Sequence, residues 1–115
     1  MKAKKISSQF KILKTFSEKM QGLMFSSQET FKQPLLFDFK ETTELCKIHS
    51  FFCFFDFDAI WLDENHKIIY LKEKISPWKY GIGPEKARWL IEAKPKTIKK
   101  FKLKKGDKIN IFNKN

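Results

Sequence analysis

The stretch Ile48–Asp63, IHSFFCFFDFDAIWLD, decides the fold. It is the densest apolar segment of the chain, with one histidine and three aspartates set into it. Alternation places Ile48, Ser50, Phe52 and Phe54 on one face and His49, Phe51, Cys53 and Phe55 on the other. Both faces are largely apolar, so the spacing predicts a strand over 48–55 that is covered on both sides. Asp56 marks a break or a bulge. Phe57–Asp63 then continues as strand, with Phe57, Ala59 and Trp61 opposite Asp58, Ile60 and Leu62.

Downstream, Asp63-Glu64-Asn65-His66 is a turn signal, with Asn65 suited to positive φ, and Lys67–Lys72 is the returning strand of a hairpin. Ser76–Pro84, SPWKYGIGP, reads as a loop. Ala87–Ala93 alternates as a strand, with a helix starting at Pro84 as the rival reading. Thr97 can cap a single helical turn carrying Ile98 and Phe101. Lys105-Gly106-Asp107 then turns into a final strand, KINIF.

Upstream, Gln9–Lys14 reads as a first strand. Ser17, Glu18 and Gly22 mark the start and stop of a short helix whose apolar face is Phe16, Met20, Leu23 and Met24. Leu35–Phe39 is strand-like, with Leu35, Phe37 and Phe39 on one face and Leu36 and Asp38 on the other. Lys40–Lys47 reads as a loop over a sheet edge. The sum is a mostly β (α+β) protein: a small curled sheet or barrel of about seven short strands with one or two short helices. A basic tail over residues 1–8 precedes a single β-rich domain over 9–113.

The chain has 115 residues, 42% hydrophobic and 16% aromatic, enough to fill one core. No apolar run approaches the roughly 20 residues a membrane helix needs. The N-terminus is basic but lacks a continuous apolar segment and a cleavage pattern, so a cytoplasmic protein without membrane insertion is expected. Cys46 and Cys53 are seven apart and would point to opposite faces of one strand, so no bridge is expected between them. The formal charge is +11, and nine of the lysines lie in residues 94–115 beside one aspartate. Arg88 is the sole arginine, which argues against base-specific readout.

Four stretches together resemble the uncharacterised protein family 0127, also called the domain of unknown function 192. Gly22-Leu23-Met24 is similar to that family's Gly-Leu-Met, and Leu35-Leu36-Phe37 to its Met-Leu-Phe strand. Ile48–Asp63 resembles the archaeal form of its central motif, and Pro77-Trp78, Glu92 and Gly106-Asp107 follow in the family's order. Asp56 stands where the family has proline, Cys53 where it has methionine, Asn65 in place of a turn glycine and Lys96 in place of another glycine. The resemblance implies a compact, mainly β fold and no established activity.

Among polar residues, His49 and Asp58 could converge as an acid–base or ligand-holding pair. The bland counterpart is a buried hydrogen bond between them, or Asp58 accepting backbone N–H groups at a bend. Glu92 could join the same pocket, or pair with a lysine or face solvent beside Arg88. Trp78, with Tyr80 in a glycine-bearing loop, could be a lid or stacking platform, or an aromatic plug closing one end of a barrel. Lys99, Lys100, Lys102 and Lys104 could meet nucleic-acid phosphates, against the commoner solvated basic face. No nucleophile–base pattern, metal motif or cofactor fingerprint is visible, so no cofactor or metal is expected and the reading leans away from an enzyme. The leading expectation is a non-enzymatic β domain that binds a small ligand or a protein through His49, Asp58, Trp78 and Glu92. The alternatives are a nucleic-acid-binding module using the Lys-rich ends, and a hydrolase or transferase built on His49 and Asp58.

Overall fold

The computed structural model describes residues 3–15, 18–19, 22–24, 26–27, 29, 31–39 and 46–111. Five strands form one mixed, open sheet: β1 (Lys11–Leu13), β2 (Leu35–Asp38), β3 (Phe57–Leu62), β4 (Ile68–Ile75) and β5 (Trp89–Ala93). The spatial order is β1-β2-β5-β3-β4. β1 runs parallel to β2, and every other pairing is antiparallel. One four-residue helix, α1 (Thr97–Lys100), follows β5. The protein is therefore mostly β, as the alternation implies, with an open sheet and, among the described residues, five strands where about seven were expected.

The missing two have a physical cause. Ile48–Phe55 contains only one β-bridge, Ile48 to Ile82, and then turns at Phe51 and Phe52, the latter at φ 61°. The Ser50 hydroxyl donates to Ser76 O (2.6 Å) and accepts from Lys79 N (2.8 Å), so the segment is tied to the 76–79 loop instead of to a strand ladder. It is also not covered on both sides, because Phe51, Phe52 and Phe54 are exposed. Among the described residues of KINIF, only Lys108 and Ile109 make single bridges, to Lys67 and Lys4. Lys4 N donates to Lys108 O, and Lys4 Nζ pairs with Asp107 at 2.9 Å.

Each sheet face carries its own core, as period-2 alternation requires. Leu35, Phe37, Phe57, Ala59, Trp61 and Leu90 pack on one side beneath Leu23, Phe31, Cys53 and Phe55. Leu36, Ile60, Leu62, Ile91 and Ala93 pack on the other beneath Phe10, Ile98, Leu103, Ile109 and Ile111. The fully buried Trp61 donates its indole N–H to Cys46 O at 2.8 Å. Gly83, at φ 109°, lies where a Cβ would collide with the Trp61 ring. Both cysteines are buried and neither is joined in a disulfide.

Several local expectations shift by a residue or two. Thr15 makes the capping box before Glu18 and Lys19: its hydroxyl accepts from Glu18 N while Glu18 Oε1 accepts from Thr15 N. Ser17, Phe16 and Met20 fall outside the described residues, as do residues 40–45. Gly22 takes the left-handed conformation at φ 47°. In the β3–β4 turn, His66 rather than Asn65 takes positive φ, while Asp63 Oδ1 accepts from Asn65 N and Lys67 N. Thr97 does not cap α1. Its hydroxyl donates to Lys94 O, and Lys96 stands at the cap position with φ 74°.

Candidate functional site

Asp58 and Glu92 are buried on opposite faces of the sheet. In the register Phe57 faces Ile75 and Ala59 faces Lys72, so two steps on β3 match three on β4. The extra residue is a bulge, and Lys74 there adopts φ 48°. Its N–H leaves the ladder and donates to Asp58 Oδ1 at 3.0 Å. Asp58 Oδ2 accepts Ile98 N at 3.0 Å. The carboxylate is fully buried and joins the β4 bulge to α1. It does not touch His49. The His49 Nδ1 accepts Phe51 N at 3.1 Å, and its ring stacks on Phe51 at 5.2 Å. The expected His49–Asp58 pair is therefore not formed: both Asp58 oxygens and His49 Nδ1 accept backbone N–H groups instead.

Glu92 pairs in register with Leu35 on β2 and Ala59 on β3, which places it on the Trp61 side. It is 4% exposed and, among the described residues, accepts no hydrogen bond and meets no lysine. Arg88, its expected neighbour, pairs with Asp38 and lies over the Trp89 ring. Burial pushes the Glu92 carboxyl up to about 8. Cys53 is pushed up to about 11, by burial first and then by Glu92.

Trp78 and Tyr80 are not a plug. They stand 53% and 78% exposed and build a platform with the 49–52 turn. Phe52 meets Trp78 edge-on at 4.9 Å, while Phe51 lies 6.3 Å from Trp78 and 6.2 Å from Tyr80. Phe51 and Phe52 are themselves 37% and 41% exposed. The Ser50 bonds and Trp78 N donating to Ser50 O hold the two loops together.

The lysines divide. Lys99 and Lys100 line a surface cavity of about 380 Å³ with Lys74, Lys96 and Glu73. Lys102 and Lys104 do not line it. The Lys102 carbonyl accepts Lys4 Nζ, and Lys104 N donates to Asp107. Lys74 and Lys96 were not expected as site residues. Only the bulge and the left-handed turn bring them to Lys99 and Lys100. Phe51, Phe52 and Ser50 were also missed, and the lone hydroxyl residue in an aromatic run was the available signal. Among the described residues, no cluster of His, Cys, Asp and Glu could hold a metal ion, and no helix is long and apolar enough to cross a membrane.

Known proteins share this fold. A crystal structure of a candidate transcription regulator from Sinorhizobium meliloti superposes with a TM-score of 0.76 at 22% identity, covering 86% of this chain and 78% of that one. A protein of unknown function from Novosphingobium aromaticivorans gives 0.72 at 16% identity, covering 86% and 71%. At such identities the likeness carries the fold alone. In sequence, the UPF0127 protein of Pyrococcus horikoshii is 33% identical over 106 residues, 89% of this chain and 86% of the relative. That of Thermococcus sibiricus is 29% identical over 110 residues, 95% and 70%. The model for the domain of unknown function 192, described as Uncharacterized ACR, matches residues 1–111. This chain, with its open five-stranded sheet and archaeal relatives, belongs to the UPF0127 family, the domain of unknown function 192.

Proposed function

We propose that this protein is a non-enzymatic binding domain that takes single-stranded nucleic acid on its aromatic platform. The observation that carries the reading is the set of interlocked, exposed rings of Phe51, Phe52, Trp78 and Tyr80, clamped by Ser50. Aromatic faces stack on bases of any sequence, at about 1–3 kcal/mol per base. Lysines supply the phosphate contacts. Lys79 lies between Trp78 and Tyr80 in the chain, and Lys74 is four residues from Trp78, at most about 14 Å along the backbone. A surface with lysines and no arginine except Arg88 suits sequence-tolerant binding.

The alternatives fare less well. A hydrolase or transferase on His49 and Asp58 loses its support, since both Asp58 oxygens are committed to backbone donors. The same platform could seat apolar side chains of a protein, and salt dependence separates the two. The test is fluorescence anisotropy of a labelled oligo(dT) 12-mer against the full chain at several salt concentrations. We expect binding at low salt that weakens steeply as salt rises. Tyr80→Ala and Trp78→Asn (asparagine tolerates the positive φ of Trp78) should each weaken binding about tenfold. Neutralising Lys99, Lys100, Lys102 and Lys104 should flatten the salt dependence. Absence of binding at low salt, or an affinity indifferent to Trp78 and Tyr80, would overturn the reading.

A further inference from the structure

The cavity between the β4 bulge and α1 has a chemistry of its own. Lys74, Lys96, Lys99 and Lys100 line it beside the single acidic residue Glu73, largely through the carbon stems of their side chains. These lysines come from two segments more than twenty residues apart, and like charges do not gather without cause. The cause is Asp58. One oxygen takes the N–H of Lys74, the other that of Ile98, so a buried side chain fixes the separation of the two segments. Lys74 and Lys96 both hold left-handed backbone, at φ 48° and 74°, a conformation few residues other than glycine adopt. The arrangement is thus set by the backbone and not by the flexible ends of the side chains.

All four lysines are exposed, and among the described residues none of them forms an ion pair. Two of the first-turn donors of α1 are already engaged: Thr97 N donates to Lys94 O and Ile98 N to Asp58. Charge recognition rests on these lysine side chains, whose ammonium groups bind phosphate as point charges. The cavity volume of about 380 Å³ lies at the small end of ligand sites.

We infer that this cavity is a phosphate-binding site that takes a diphosphate or a similarly compact polyphosphate group. It is distinct from the aromatic platform, and it stands or falls without stacking of bases. The phosphates could belong to a free small molecule or to a nucleic-acid strand.

Titration calorimetry of the full chain with inorganic pyrophosphate at low salt tests the site. The paired variant Lys99→Gln/Lys100→Gln should weaken pyrophosphate at least tenfold. Lys11→Gln/Lys14→Gln removes the same charge at the β1 edge and should change it less than twofold. Trp78→Asn should leave pyrophosphate binding intact while impairing oligo(dT), so failure of the platform reading and failure of this one are told apart. Competition identifies the source: oligo(dT) that displaces pyrophosphate places a strand's phosphates in the cavity, and simultaneous binding assigns it to a small phosphate compound. No pyrophosphate binding, or equal losses from the two lysine pairs, would overturn the inference, the latter by showing only diffuse charge.

Discussion

Asp58 and Glu92 are both buried carboxyl residues on neighbouring strands, yet the sheet treats them in opposite ways. Asp58 sits on the α1 side and accepts two backbone N–H groups from different parts of the chain. Glu92 sits on the Trp61 side among Leu35, Ala59 and Phe37, with no hydrogen bond among the described residues. Burial alone penalises a carboxylate, and only donors offset the penalty. Where the bulge and α1 supply donors, the carboxylate becomes a structural joint. Where the neighbours are side-chain carbons and Gly22, the group is held in its neutral form at neutral pH. A buried acid is therefore a part of the architecture or a source of pH sensitivity according to which backbone groups face it.

The contrast breaks most severely at Asp58. Asp58→Ala leaves the buried Ile98 N–H and the partly buried Lys74 N–H without their acceptor, at up to about 1–3 kcal/mol each. We expect a loss of about 4 kcal/mol by urea denaturation. Asp58→Asn keeps one acceptor oxygen and should lose about half as much. A loss below about 1 kcal/mol in the alanine variant would show that water replaces the carboxylate, and that Asp58 is not the joint between β4 and α1.

The sequence discloses this contrast only in part. Alternation over Phe57–Leu62 and Trp89–Ala93 places Asp58 with Ile60 and Glu92 with Leu90, and the structure keeps both assignments. That the faces differ in hydrogen bonding depends on the one-residue bulge in β4 and on α1, neither of which leaves a mark in the strand pattern. The same limit applied at Ile48–Phe55. An aromatic run alternates identically whether both faces are covered or half the rings are exposed, so the strand expectation failed where Ser50 ties the chain to another loop. Lys99 and Lys100 were legible as a basic cluster. Their cavity was not, because Lys74 reaches it only through the bulge.

A smaller effect is expected at Glu92, and its sign is the reverse of that for a paired acid. The carboxyl's folded value of about 8 lies above its ordinary 4.5, so between these values the folded state holds a proton that the unfolded state has released. The contribution is fully present below about pH 4.5 and is lost as pH rises towards 8. Glu92→Gln removes the titration. Relative to the wild type it should gain about 3 kcal/mol between pH 5 and 8, measured by denaturant midpoints across that window. Parallel pH profiles for the two proteins would mean that donors reach Glu92 in solution, and the two faces would then be alike.

The smallest effect should come from Gly22, the backbone that closes over Glu92. Its φ of 47° suits glycine, and a Cβ there would lie 3.3 Å from Phe37 Cζ and 3.5 Å from Glu92 Oε1. Gly22→Ala should cost about 1–2 kcal/mol, part from the left-handed backbone and part from crowding. A double-mutant cycle with Glu92→Gln separates these parts, because strain in the backbone is indifferent to residue 92 while contact is not. A coupling above about 0.5 kcal/mol would show that Gly22 packs directly on the carboxyl and helps exclude water from it. Strict additivity would reduce the role of Gly22 to its left-handed backbone, and the isolation of Glu92 would then rest on the strand neighbours Leu35 and Ala59 alone.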